Sequence, residues 1–243
     1  MNKKLKTFLL TILLILGLLG EATFLYVNDF NSASDEAISL VEEGTDGVRV
    51  IEDIGKSVQF IPTRGAKTAL IFYPGGKVDY LAYSPLMAQL AKNGILCILV
   101  HMPGNLAVLD PDAADRYRSL YPEIKDWYIG GHSLGGVCAA EHLKKEYENY
   151  KGLILLGSYS TADLSDTKLK TLSLYGSKDQ ILDREEYEKN KDNLPSLTEY
   201  EISGGNHSQF GDYGLQKGDG KAVISAKRQL DLTVQWIRFF IDK

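Results

Sequence analysis

The sequence predicts an α/β fold, a mostly parallel eight-stranded sheet flanked by helices and preceded by an N-terminal membrane helix. Three observations carry that prediction. From Val48 onward, short β-branched apolar runs alternate with stretches of helical period. One such run, Trp127-Tyr128-Ile129, leads into Gly131-His132-Ser133-Leu134-Gly135, a glycine-flanked serine with a helical pattern behind it. Ahead of all this lies a lysine-flanked apolar stretch whose composition differs from the rest of the chain.

The chain has 243 residues, 44% of them apolar and 24% charged, which suits a folded domain built on an apolar core. Two cysteines are too few for a disulfide scaffold or a four-thiolate zinc site. Cys97, in a strand, and Cys138, in a helix, read as buried small hydrophobes. No His/Cys/Asp cluster has metal-ligand spacing. A net charge of -5 supplies no basic field for phosphate backbones, so no nucleic acid partner is expected.

Lys3, Lys4 and Lys6 precede the uncharged stretch from Thr7 to Gly20, and a second apolar piece, Ala22 to Val27, follows Glu21. A helix over Thr7 to Val27 is long enough for a hydrocarbon core of roughly 30 Å. No small-x-small cleavage site follows at Leu19-Gly20-Glu21 and no cysteine is placed for lipidation. Residues 1–27 therefore read as an uncleaved signal anchor, with a cleaved signal peptide and secretion, or a buried soluble helix, as the alternatives. In the first two cases the lysines stay in the cytoplasm and the body of the protein lies on the extracytoplasmic side. Residues 28–47 are polar and acidic, a linker leading into a short helix, and 48–243 form the domain. Removal of residues up to about Ser34 is expected to leave that domain soluble and fully active.

Eight strands are predicted within it: Val48 to Glu52, Val58 to Pro62, Ala69 to Tyr73, Leu96 to His101, Trp127 to Gly130, Gly152 to Leu156, Thr171 to Tyr175 and Leu197 to Ile202. Helical patterns occupy Leu81 to Lys92, Asp110 to Tyr121, Leu134 to Tyr147, Arg184 to Asn193 and about Lys221 to Ile241. The first two strands are joined by a short polar turn and the rest mostly alternate with helices, which implies an antiparallel start to a parallel sheet.

The glycine-flanked serine between a strand and a helix points to nucleophilic chemistry. A nucleophile on that sharp turn has a strained backbone, and its glycine neighbours leave no β-carbon to clash with the adjoining strand and helix. The helix N-terminus presents backbone N–H groups where an oxyanion would form. Ser133 needs a base. Of the four histidines, His132 is its chain neighbour, His142 lies two turns along the helix, and His101 closes a strand. His207, in Ser203-Gly204-Gly205-Asn206-His207, sits on a glycine-rich loop past the last strand and is the candidate base. A carboxylate must hold it in the right tautomer, and Asp179, just after the Thr171 to Tyr175 strand, is chosen over Asp163, Asp166 and Asp183. Asp183 also reads as a helix N-cap. The Pro74-Gly75-Gly76-Lys77 loop, after the third strand, supplies the second oxyanion donor. Gly76 and Leu134 are the two chosen, with Lys77 in reserve for Gly76. Tyr159 and Phe210 could line the pocket or fill the core.

In this order, the Pro-Gly-Gly loop, the Gly-His-Ser-Leu-Gly-Gly turn, Gly-Ser-Lys-Asp and Gly-Gly-Asn-His resemble the α/β-hydrolase fold superfamily over about Val48 to Lys243. More narrowly, Tyr73-Pro74-Gly75-Gly76, Met102-Pro103 and Gln209-Phe210-Gly211-Asp212-Tyr213-Gly214 look like its small, lidless, dienelactone-hydrolase-like bacterial branch. The serine nucleophile argues against dienelactone hydrolysis itself, which uses a cysteine. The resemblance implies an enzyme that hydrolyses an ester or thioester without a cofactor, its substrate a small molecule or a surface polymer at the outer face of the membrane. The alternative is a catalytically idle fold used as a binding or scaffold module, although such a fold has no reason to keep all these groups in order. The stretch from Gly157 to Lys170, where lids are commonly inserted, is short and polar, so an open site for short acyl groups is expected. Asn105 to Tyr121 or Gln209 to Gly220 could cover it instead.

Overall fold

Eight strands form one sheet: β1 (Val48–Asp53), β2 (Ser57–Pro62), β3 (Thr68–Tyr73), β4 (Ile95–Val100), β5 (Asp126–His132), β6 (Gly152–Leu156), β7 (Lys170–Gly176) and β8 (Leu197–Ile202). Their spatial order is β1-β2-β4-β3-β5-β6-β7-β8. The β1–β2 and β2–β4 pairings are antiparallel and all the others parallel. This computed structural model describes residues 3–243, apart from the side chains of residues 3, 5–8, 19, 22, 23 and 25, so the lysines at 3 and 6 lie outside the described side chains.

The chain divides into two units, Met1–Phe30 and Asn31–Lys243. The first contains α1 (Lys3–Asn28), a 26-residue helix about 39 Å long. Leu10, Leu13, Leu14, Leu16 and Leu18 are exposed on it. Over the described residues, no helix is long and apolar enough to cross a membrane. The short helix expected in 28–47 is α2 (Asp35–Glu42), capped by the Ser34 hydroxyl, which accepts from Ala37 N at 3.1 Å. Ala37 is fully buried, and Ala33, Ala37, Ile38 and Val41 join the core under α3 (Ser84–Lys92). Residues 31–47 are thus part of the second unit.

Alternation along each strand sorts side chains onto two faces. Leu70 and Phe72 of β3 and Cys97 and Leu99 of β4 meet α3 and α6 (Ala226–Ile241) on one face. Ala69, Ile71 and Tyr73 of β3 with Leu96, Ile98 and Val100 of β4 meet α4 (Leu134–Glu146) and the chain from Ala107 to Ile124 on the other. The central strands are buried on both faces, which is why they read as continuous apolar runs. Cys97 and Cys138 are both buried and free.

Three predicted helices differ from the structure. Asp110 to Tyr121 is no α-helix but two 3-10 turns, Ala113–Arg116 and Arg118–Leu120. Pro111 opens this stretch, and the Tyr73 hydroxyl holds it by donating to Pro111 O and accepting from Ala114 N, bonds a regular helix could not make. The helix expected from Arg184 to Asn193 is α5 (Arg184–Lys189), ending where the Asn190 side chain donates to Glu186 O at 2.8 Å. The last helix starts at Ala226 rather than 221, because Ser225 caps it by accepting from Arg228 N.

Candidate active site

Parallel strands send their carboxyl ends to one edge of the sheet, and the predicted site residues follow those ends. β5 ends at His132 and α4 begins at Leu134, with Ser133 alone on the turn at φ 51°, ψ −125°. That conformation is strained for a residue with a β-carbon. The surroundings impose it: a Cβ at Gly131 would overlap the Gly135 backbone, and one at Gly135 would overlap the carbonyls of Tyr73 and Pro74. The turn is held from outside as well, since Ser133 N donates to Leu156 O at 3.0 Å and the Ser158 hydroxyl donates to Ser133 O at 2.6 Å.

His207 Nδ1 lies 2.8 Å from Asp179 Oδ2, and each side chain is 1% exposed. The other carboxylate oxygen of Asp179 accepts from Ile181 N and Leu182 N at 2.9 and 2.8 Å, which aims Oδ2 at the imidazole. Gly157 bridges this pair and the serine. It follows Leu156, the acceptor for Ser133 N, and a Cβ there would come within 2.8 Å of His207 Nδ1 and 3.1 Å of Asp179 Oδ2. His207 Nε2 is buried without a protein partner.

On the opposite side, Gly76 adjoins the start of α4: a Cβ at Gly76 would meet Leu134 Cδ2 at 2.8 Å. The N–H of Leu134, in the first turn of its helix, has no intrahelical acceptor. Lys77, the reserve donor, has its N–H engaged by Asn105 O at 2.8 Å, which leaves Gly76 as the residue of this loop next to the helix start.

The remaining candidates take other places. His142 is buried against Asp112 Oδ1 at 3.1 Å and the Tyr150 hydroxyl at 3.3 Å. His101 packs on the Tyr80 ring. Asp183 caps α5 by accepting from Glu186 N, and Asp163 accepts from Ser165 in an exposed turn. Phe210 is buried against the His132 ring, and Tyr159 packs partly buried beside Tyr175, Leu182 and Tyr187. Among the described residues, no cluster of His, Cys, Asp or Glu could hold a metal ion.

The profile described as the Alpha/beta hydrolase family matches residues 69–231, a span that holds the Ser133 turn, the Gly75-Gly76 loop and the His207–Asp179 pair. The chain belongs to the alpha/beta hydrolase family. Solved structures share its fold at low identity. Est1E from Butyrivibrio proteoclasticus superposes with a TM-score of 0.56 at 14% identity, covering 82% of this chain and 100% of its own. A predicted CIB-like hydrolase from Thermoplasma acidophilum gives 0.57 at 14% identity over 79% of this chain and 97% of its own. Thermogutta terrifontis esterase 2, phosphoramylated by tabun, gives 0.55 at 13% identity over 79% and 94%. No curated protein matches the sequence.

Several groups around the site were beyond sequence reasoning. Asp219 accepts from Ser208 N and Oγ at 2.8 and 2.6 Å and from Gln180 N at 3.2 Å, so one carboxylate ties the residue after His207 to the residue after Asp179. Asn206 and Gln229 exchange bonds of 3.0 and 2.8 Å behind the same loop. Asn31 N donates to Lys77 O at 2.8 Å and Asn31 O accepts from Asp79 N at 2.9 Å, extending the Gly75-Gly76 loop by one bridge. A polar residue one or two places from a motif loop was the signal available for Asp219 and Asn206. Asn31 gave none, since it acts mainly through its main chain.

Proposed function

We propose that this hydrolase-family member cleaves an ester or thioester bond through Ser133, His207 and Asp179 by way of an acyl-enzyme. The observation that carries the reading is the buried 2.8 Å His207–Asp179 bond, set by Gly157 against the strained turn that displays Ser133. Asp179 takes the Nδ1–H, leaving Nε2 as the basic nitrogen. As Ser133 Oγ bonds to the substrate carbonyl carbon, His207 Nε2 removes its proton, and the carbonyl oxygen becomes an oxyanion facing the N–H groups of Gly76 and Leu134. Collapse of the intermediate breaks the bond to the leaving alcohol or thiol, which takes the proton back from His207. Water then attacks the acyl-enzyme by the same route, releasing the acid and restoring Ser133. These steps require no cofactor.

The acyl groups expected are short. Leu164 and Leu169, the large aliphatics of the chain between β6 and β7, are buried in the core at 1% and 3% exposure and contribute no wall to an acyl tunnel. The structures of Est1E with ferulic acid and of the tabun-modified esterase concern proteins of this same fold. The N-terminal helix is assigned to a membrane, with the domain on its outer face. That assignment rests on the apolar run from Thr7 to Val27, which includes side chains outside the described set, and on the exposed leucines of α1.

Fluorophosphonate labelling and p-nitrophenyl ester turnover test the reading. The protein should label, and Ser133→Ala should lose labelling and at least about a thousandfold in kcat while keeping its circular dichroism. Unchanged turnover in Ser133→Ala would falsify the triad. Across acetyl to palmitoyl esters, kcat/KM should fall with length. A steady rise beyond about eight carbons would show an apolar tunnel and overturn the short-acyl assignment.

A further inference from the structure

Tyr83, at the start of α3, is a fully buried side chain beside the site with no part in the mechanism above. Its hydroxyl stands at a junction. It accepts from Gly75 N at 3.0 Å and lies 2.7 Å from His132 Nδ1. A tyrosine hydroxyl carries one proton. With Gly75 N–H donating to its oxygen, the hydroxyl is the group that meets His132 Nδ1, the direction of that bond following the imidazole tautomer, and burial pushes the phenol pKa well above its ordinary value, so the hydroxyl keeps its proton. His132 Nε2 is buried without a hydrogen-bond partner, and burial, followed by the repulsion that two protonated imidazoles would exert on each other across the His207 contact, pulls the His132 pKa well below the usual histidine value.

The consequences reach three parts of the site. Gly75 adjoins Gly76, the proposed oxyanion donor. His132 adjoins Ser133. The His132 ring also packs, tilted, against the His207 ring, with centroids 4.3 Å apart and planes at 44°. The glycine at 75 is itself explained by this junction, because a Cβ there would sit 2.9 Å from the Tyr83 hydroxyl and 3.0 Å from His132 Nδ1. The Tyr83 ring is fixed in turn by Phe72, at 5.2 Å between centroids.

We infer that Tyr83 is a positioning residue for the reaction, its hydroxyl joining the oxyanion loop to the imidazole on which the base rests. The inference builds on the proposed triad. Without the hydroxyl, Gly75 N–H and His132 Nδ1 are both buried and unsatisfied, so the loop can draw away from Leu134 and His132 can turn against His207. Both displacements act on the transition state and neither removes a surface that binds substrate.

The test uses the full-length protein and p-nitrophenyl acetate. Tyr83→Phe deletes one oxygen and keeps the ring, and it should lower kcat about 10-fold to 100-fold with KM within about threefold of the parent. His132→Phe keeps a ring for His207 to pack against while removing the hydrogen-bond partner of the Tyr83 hydroxyl, and it should lower kcat in the same way. Because the two residues act through one hydrogen bond, the double variant should be little worse than the worse single one rather than the product of both. Tyr83→Phe with parental kcat, or with a loss confined to KM, overturns the inference, as does a multiplicative double variant. If Tyr83→Phe does not fold, the kcat and KM of His132→Phe decide the matter by the same criteria. Ser133→Ala in the same assay separates the two levels: activity surviving there condemns the triad reading, whereas activity lost there but intact in Tyr83→Phe condemns this inference alone.

Discussion

The two walls of the candidate site are held by different means. The wall bearing His207 and Asp179 has a main-chain bond between its loops, Lys178 N to Gly205 O at 2.8 Å, and is otherwise fastened by side chains: Asp219 spans Ser208 and Gln180, Gln229 clamps the Asn206 backbone, and the Asn206 side chain reaches Gly220 O at 2.7 Å. The wall bearing Gly75 and Gly76 is fastened, apart from the Tyr83 hydroxyl on Gly75 N, largely through main chain by segments remote in sequence, with Asn105 O on Lys77 N and Asn31 bonded on both sides to Lys77 and Asp79. Side-chain fastening leaves its mark on residue identity and can fail by single substitutions. Main-chain fastening is blind to side chain and fails only when the segment itself is removed or displaced.

The largest expected effect lies on the first wall. Asp179→Asn should cost about 10⁴ in kcat, because an amide at that position favours the wrong histidine tautomer. Asp183→Ala should leave kcat unchanged and cost about 1 kcal/mol of stability, the value of the α5 cap in which it accepts from Glu186 N. Measuring kcat and urea midpoints for both variants checks the assignment. If Asp183→Ala were the inactive variant, the acid would be misassigned and the first wall would have to be redrawn.

A smaller loss is expected on the second wall. A chain beginning at Asn31 retains the bonds to Lys77 and Asp79, and also Ser34, whose N–H and hydroxyl meet Asp212 O and Oδ2 at 2.8 and 2.5 Å. It should keep full turnover. A chain beginning at Asp35 loses both attachments, and its kcat should drop by about tenfold while the fold survives on the remaining core. The sequence alone placed this boundary at about Ser34, within a stretch that reads as linker. Equal kcat in the two truncations would show that the oxyanion wall does not depend on this segment.

The contrast also explains what could be read from the sequence. The eight strands were legible because each is a short apolar, β-branched run bounded by turn residues, and burial on both faces makes such runs continuous. The candidates Ser133, His207 and Asp179 stood out because each follows a strand on a loop whose glycines permit close approach, as at Gly131, Gly205 and Gly176. Asp110 to Tyr121 misled, since its apolar spacing suits a helix while the Tyr73 hydroxyl, 38 residues from Pro111, holds the chain in another form. Tyr83 and His132 stand 49 residues apart, and an aromatic residue in a helical pattern is indistinguishable from core until its hydroxyl is seen to meet a histidine. Asn31 carries nothing in its side chain that announces a main-chain bond to Lys77.

The smallest expected effect is on stability, and it comes from His132, where the two walls meet. This imidazole is enclosed by Tyr83, His207 and Phe210, and its pKa is lowered from 6.5 by burial first and by the repulsion that two protonated imidazoles would exert on each other second. Between that lowered value and the unfolded value near 6.5, the unfolded chain binds a proton that the folded chain does not. Stability in that window therefore rises with pH, and the contribution of His132 is complete above about pH 6.5 and is lost as the pH falls below it. One proton sets the slope at no more than about 1.4 kcal/mol per pH unit, or roughly 3–6 °C in Tm for a domain of this size. The Tm of the parent should therefore fall between about pH 6.5 and 5.5, and His132→Phe should fall less over the same interval, whatever its absolute Tm. Parallel Tm curves for the two proteins would mean that the buried imidazole takes up its proton without cost, and that the junction between the walls is more open to water than its packing indicates.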